Sequence, residues 1–503
     1  MKKVIFLAIA AAGGLMAQTP TITAVLNTVQ VVAGVKDTRL CPGIVATVFG
    51  TNFGSVASGV TVTVGGMAGA AITGQVTPNQ MNVQIPFTAP VGSTQMVVTV
   101  GGQASQPFSI TLLTAAPTIG YTAPGKPAFY TATLTQVTPA APAHPGDTLV
   151  LFSGGMGQTN PASGNGPPAN PVPLAGTPTM TIGGQSATII AALYTASGYQ
   201  FNFKVPTNVQ GSVPVVISID GQDSPPATLP LFGISAIVSG ASFESTGTAT
   251  PEEIVTIYAN GMGSKDEITK GYQTTNVQGV SVTFNGTAAP IFALVTENGQ
   301  LNAIVPTELP TSGTVQVELV TASGTSLGFP LIMNAAVPGI FLVPVPGNAN
   351  ATIAAAQFAN TTWLAVPTSA AGALGLAQNC TKSKANPISN CGEPAAPGDY
   401  LVLYVTGLGE ATPNGEAGGT PLATGTAAPA SGSTLYETTA APTVEIGGIS
   451  AKPLFSGIAP GFAGLYQVDF QVPTGVPEGD SVPITISMPG STTAQATIAI
   501  HSR

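Results

Sequence analysis

Four strings of seven residues constrain this chain more than anything else in it: QMNVQIP (80–86), QFNFKVP (200–206), QLNAIVP (300–306) and QVDFQVP (467–473). Each opens on glutamine, carries Asn or Asp at its third position and ends on proline. Each also sits late in a longer stretch whose landmarks recur in order. An apolar strand comes first and ends in a glycine turn: PGIVATVFGTNFG from Pro42, PGDTLVLFSGGMG from Pro145, PEEIVTIYANGMG from Pro251 and PGDYLVLYVTGLG from Pro397. A strand with a hairpin turn follows, as VTVGGMAGA, MTIGGQSAT, VTFNGTAAP and VEIGGISAK. A closing hairpin such as SVPVVISIDGQDSPPATLPL comes after the Q-to-P string. The opening prolines lie 103, 106 and 146 residues apart, so the chain writes one unit four times.

Within each unit apolar and polar residues alternate with period two, the pattern of strands half-buried against a second sheet. In QFNFKVP, Phe201, Phe203 and Val205 point one way and Gln200, Asn202 and Lys204 the other. Gly-Gly and Asn-Gly pairs supply the positive φ of tight hairpins. The terminal proline stops the strand because it cannot donate to the ladder. The chain therefore reads as all-β, four tandem immunoglobulin-like sandwich modules at 18–115, 116–232, 233–337 and 338–503, the fourth carrying an insert around 343–394. Disorder is excluded by composition: 61 Gly and 45 Pro accompany 44% apolar and only 7% charged residues, whereas disordered chains are poor in apolar residues and rich in charge.

Asparagine is depleted in strands. Its place at Asn82, Asn202 and Asn302, with Asp469 in the fourth copy, leads to the expectation that the side chain binds a neighbouring backbone segment and fixes a loop. A row of amides presented to a ligand is the alternative.

The order GTNFG, VTVGG, QMNVQIP and a glycine-containing closing hairpin resembles the IPT/TIG branch of immunoglobulin-like domains. The pairing of modules resembles, more closely, an exported uncharacterised C-terminal domain family of acidobacteria such as Solibacter. The segments that carry this likeness are IVSGASFESTGTATPEEIVTIYANGMG from Ile237, AAVPGIF from Ala335 and YQVDFQVPTGVPEGDSVPITISMPG near the end. It covers 233–503 well, and 21–232 reads as a more diverged copy with AAPTIG at Ala115. Cys41 and the insert depart from the pattern. The resemblance implies a fold and an exported setting, and brings no catalytic or binding residues with it.

Residues 1–17 read as a secretory signal: Lys2 and Lys3, an apolar run to Met16, and Ala17 at the cleavage point. The run is too short to span a bilayer, so no membrane insertion is expected after signal removal. Removal leaves 10 basic against 21 acidic residues, a net charge of −11, which disfavours nucleic acid as a partner. In an oxidising compartment Cys380 and Cys391 close a short loop, worth about 2.5–3 kcal/mol in the chain-entropy model. Cys41 is then odd and reads as a small buried side chain.

Catalytic constellations are missing from the sequence. His144 and His501 have no nucleophile or metal partner nearby in sequence, and no G-x-S-x-G, H-E-x-x-H or P-loop occurs. The carboxylate pairs Asp220/Asp223, Glu252/Glu253 and Asp266/Glu267 fall in turns. Asp147, Glu253 and Asp399 align before a strand, where the first module has Ile44, and read as turn caps. Trp363, the one tryptophan, is the candidate ligand contact, set against a ring that pins the insert to its module. No metal, cofactor or catalytic residue is expected. The sequence thus points to a non-catalytic exported structural or adhesion-type protein at the cell surface or extracellular matrix, partnered by a protein or polysaccharide. A carbohydrate-binding module array is the alternative.

Overall fold

The computed structural model describes residues 18–32, 34–269, 271–378, 380 and 390–502. The leader expected at 1–17 lies outside them. The described chain is nearly all β, with short helical turns such as Thr28–Val32 and Thr368–Ala373 between strands. It divides into two compact units, one reaching to Val137 and continuing with Ala143–Val209 and Val213–Leu229, the other holding Thr138–Pro142, Gln210–Ser212 and Pro230–Arg503.

In the first unit, Val45–Thr51 lies antiparallel between Thr21–Asn27 and Gln80–Gln84. A second layer is built on Gly92–Val100, flanked by Val60–Val64 and Phe108–Leu112. The long strand Met67–Thr77 passes from one layer to the other: residues 67–69 pair with Val60–Val64 and residues 70–77 with Gln80–Gln84. Val48, Met81 and Val83 from one layer meet Val62, Val64, Met96 and Val98 from the other in one buried cluster. The same plan repeats with Thr148–Gly154 between Phe129–Thr131 and Gly198–Lys204, and a second layer of Thr179–Ile182, Gly211–Ile219 and Ala227–Leu231. Alternation decides which residues go inside. Along Gly198–Lys204, Tyr199, Phe201 and Phe203 are buried, Gln200 and Asn202 half-buried and Lys204 exposed.

The second unit uses the same two-layer plan twice. Ile254–Asn260 sits between Gly233–Ser239 and Gln300–Ile304, over a layer of Ser281–Phe284, Gly313–Thr321 and Phe329–Met333. Further along, Tyr400–Thr406 pairs with Tyr466–Gln471, over Thr443–Ile446, Gly479–Ser487 and Ala494–Ile500. The stretch expected as an insert adds strands to this last sheet. Ala356–Phe358 pairs with Tyr400–Thr406, and Leu364–Ala365 and Gly392–Glu393 extend the sheet outward. Val343, Ile353, Val366, Ala370 and Ala371 give the insert a small core of its own.

Both units repeat the same hydrogen bonds where the linker enters the second sandwich. Tyr199 donates its hydroxyl to the Gly157 carbonyl and Tyr466 donates to Gly409, each at 2.6 Å. Ala116 N–H donates to Gly155 and Val337 N–H to Gly407, each at 2.8 Å. The two accepting residues must be glycine. Both have positive φ, and a Cβ would lie 1.9 Å from the Ala116 carbonyl oxygen at Gly155 and 2.0 Å from that of Val337 at Gly407.

Candidate functional site

The aligned carboxylates form one set. Asp147 Oδ2 accepts from His144 N–H at 2.8 Å, Glu253 Oε2 from Thr250 N–H at 3.0 Å and Asp399 Oδ2 from Ala396 N–H at 2.7 Å. In each case a carboxylate caps the turn three residues before it. Glu252 and Glu253 differ in depth, being 5% and 1% exposed. Burial pushes both carboxyl groups up to about 8, because a charge loses hydration that the surroundings do not replace. Glu252 also holds φ of +67°, a backbone state uncommon outside glycine, asparagine and aspartate. Beside the pair, Thr406 receives Ile254 N–H on Oγ1 at 2.8 Å and donates to the Gly464 carbonyl at 2.9 Å, stitching the unit's two sandwiches together.

At the corresponding place in the first unit stand Gly43 and Ile44, and beside them opens a cleft of about 570 Å³. Gln84, 6% exposed, lies in its wall. Its amide donates to the Tyr194 hydroxyl at 2.9 Å and accepts from Gly166 N–H at 2.6 Å, while Tyr194 donates to the Gly166 carbonyl at 3.1 Å. Tyr194 in turn lies 5.0 Å from the Tyr199 ring and 5.3 Å from Phe87, centroid to centroid. Tyr121, Gln75, Thr28, Ser153, Thr195 and Ser197 add to the polar lining, and burial raises the Tyr121 and Tyr194 hydroxyls above their ordinary range. No Asp, Glu, Lys, Arg or His lines the cleft.

Two local differences keep it open. In the aligned strings Gln84 stands where the third copy has Ile304, so an amide replaces an aliphatic side chain. The turn joining the paired residues Tyr194 and Tyr199 comprises residues 195–198, whereas the turn joining Ile458 and Tyr466 comprises 459–465. The longer turn fills the second unit's junction: Ala463 packs with Ile254 and Ile304, and Phe292, Phe341 and Leu465 close over them.

The repeated amides lie on the outer, half-buried face of their strands. Asn82 Oδ1 accepts from the Thr47 hydroxyl at 2.9 Å and its amide donates to Gln75 at 2.7 Å. Asn302 accepts from Thr256 at 3.0 Å and from Gln300 at 2.9 Å. Asn202 accepts from Gln200 at 2.9 Å, and Asp469 from Gln467 at 3.2 Å. These partners are side chains, on the next strand or two residues along, rather than the loop backbone expected from sequence. The reason is register: Thr47 and Thr256 sit directly opposite Asn82 and Asn302, within reach across the ladder. Only Asn82, through Gln75, leads to the cleft.

Trp363 is half-buried and packs against the core of the last sandwich. Cys380 and Cys391 are joined as a disulfide, with Cα atoms 5.7 Å apart. Residues 381–389 between them are outside the described set. Cys41 is fully buried, and burial pushes its thiol up to about 12. His501 pairs with Asp480 at 2.8 Å, and Asp223 accepts from Ser218 at 2.6 Å. Among the described residues no three His, Cys, Asp or Glu side chains gather as metal ligands. The cleft was missed in the sequence. The fifth residue of the repeated string, Gln84, Lys204, Ile304 and Gln471 in the four copies, varies too freely to have marked it.

Comparison with family models matches residues 41–114 to the IPT/TIG domain. Comparison with curated proteins found no match. Among solved structures, the chain is similar to the plexin A4 full extracellular region at 10% identity and TM-score 0.26, covering 98% of this chain and 31% of that one. It is similar to the S-layer protein rSbsC(31-844) at 12% and 0.18, covering 96% and 55%. It is similar also to the surface glycan-binding protein PbSGBP-B from Prevotella bryantii at 13% and 0.17, covering 54% and 59%. The chain thus spans about a third of the plexin region. Values this low carry over neither a site nor an activity. Among the described residues no helix is long and apolar enough to cross a membrane.

Proposed function

We propose that this protein is a non-catalytic, exported surface or matrix element that works by binding and spacing through tandem immunoglobulin-like modules. One observation carries the reading: the polar residues that recur along the chain are spent on the fold. Asp147, Glu253 and Asp399 cap turns, and Tyr199 and Tyr466 bond to glycine carbonyls of their own sandwiches. Glu252 and Glu253, whose raised pKa would otherwise suit an acid catalyst, are 5% and 1% exposed and so closed to a substrate in this conformation. The Cys380–Cys391 bond supports an oxidising destination. Purified protein incubated with polysaccharide, peptide and ester substrates should release no product, and fluorescently labelled protein should adhere to the producing cells. Hydrolysis of any of these polymers defeats the reading. A non-reduced digest should yield the Cys380–Cys391 peptide pair, and finding both thiols free, or either joined to Cys41, defeats the export argument.

A second reading, carbohydrate binding, is favoured by the uncharged cleft of the first unit, where amide and phenol groups converge.

A further inference from the structure

We infer that the cleft between the two sandwiches of the first unit is a binding site for an uncharged, polyhydroxylated ligand, a neutral saccharide of a few residues. The inference rests on the carbohydrate-binding reading and narrows it to one place. Four observations carry it.

The first is that the fold does not require the cleft. The second unit repeats these bonds, a tyrosine hydroxyl and a linker N–H each donating to a glycine carbonyl, and fills this volume with Ile304, Ala463 and their neighbours. An open cleft with a glutamine in its wall is therefore a property of the first unit, not of the architecture. The second is size: about 570 Å³ falls within the roughly 300–1,000 Å³ of small-molecule sites.

The third is charge. None of the lining residues is ionisable in the neutral range, so an anion or cation entering would lose hydration without a counter-charge. The fourth is the kind of polar group present. The Gln75 amide and the hydroxyls of Tyr121, Ser153 and Ser197 each donate and accept, matching the dual character of a sugar hydroxyl. Gln84 is already held by Tyr194 and Gly166, so its orientation is set before a ligand arrives. Tyr121 adds a partly exposed ring whose apolar face suits the C–H face of a pyranose.

The test titrates full-length chain with cellotetraose, xylotetraose, mannotetraose and maltotetraose, and with tetragalacturonic acid as the charged counterpart, by isothermal titration calorimetry. At least one neutral tetraose should bind, and the charged oligomer should not. Tyr121→Ala should weaken binding at least tenfold. Ser197→Trp, which places a bulky ring at the rim from an exposed turn residue, should abolish it while leaving the melting temperature within a degree or two of wild type. Trp363→Ala should bind like wild type. No binding by any neutral tetraose, equal binding of tetragalacturonic acid, or binding that survives Ser197→Trp overturns the inference. Binding lost only in Trp363→Ala overturns this site while leaving the carbohydrate-binding reading standing.

Discussion

The two units solve the same packing problem at their internal junctions and leave different remainders. In the second, two buried carboxyl groups stand where the first has Gly43 and Ile44, and an aliphatic plug covers Ile304. In the first, the aligned position is Gln84, tied by hydrogen bonds to Tyr194 and Gly166 beside an open cleft. The shared part, a tyrosine hydroxyl and a linker N–H each donating to a glycine carbonyl, fixes the end of the second sandwich where the linker enters it. The unshared part separates a junction built to exclude water from one built to admit a guest. Duplication lets one copy keep the architecture stable while the other departs from it.

The shared part should be the most costly to break. Gly155→Ala and Gly407→Ala each drive a Cβ into a carbonyl oxygen at a positive φ, and each should cost about 4 kcal/mol or more. Urea denaturation of each variant measures this. A cost confined to one of the two would show that the junctions are not equivalent after all.

The carboxyl pair should make the second unit, and not the first, sensitive to pH. Glu252 and Glu253 have folded-state values near 8 against 4.5 for the free side chain, so the folded state binds protons that the unfolded state has released. Their contribution is fully present below about pH 4.5, falls as pH rises towards 8, and is flat above, a loss of several kcal/mol, roughly 3 or more for the pair. Trp363, the one tryptophan, lies in the second unit and reports its unfolding by fluorescence. The urea midpoint read this way should fall between pH 5 and pH 8. In the Glu252→Gln, Glu253→Gln double variant it should not, since glutamine at 253 still accepts from Thr250.

Exchanging the aligned residues sharpens the comparison further. Ile304→Gln buries an amide among apolar neighbours and should cost about 2–4 kcal/mol, whereas Gln84→Ile removes hydrogen bonds at a cleft wall and should cost about 1–2 kcal/mol. Hydrogen exchange, followed peptide by peptide, locates each effect within its own unit. Equal costs would mean that the polar and apolar junctions are interchangeable.

The smallest effects belong to the repeated amides. Asn302→Ala leaves the Thr256 hydroxyl without its cross-strand acceptor and should cost about 1 kcal/mol, and Asn202→Ala, which loses only the bond from Gln200, somewhat less. Gln158→Ala, at an exposed position, should stay within about 0.5 kcal/mol of wild type. A large loss at Asn202 would reinstate a loop-fixing role.

The sequence by itself determined the all-β architecture and the burial of Phe201, Phe203 and Val205, because a period-two pattern has one way to face a core and repetition amplifies it. It also marked the aligned carboxylates as turn caps, since capping needs only a residue three positions along the chain. Tertiary structure alone decided what lies between sandwiches. That Glu252 and Glu253 are buried depends on the strand Tyr400–Thr406 and the turn at 459–465, more than a hundred residues away. That Asn82 and Asn302 bond to threonines across the ladder depends on cross-strand register. That Gln84 faces a cleft depends on a turn of the next sandwich being too short to cover it. A pattern along the chain records which face of a strand is apolar, and it carries no information about which distant segment comes to lie against that face, or fails to.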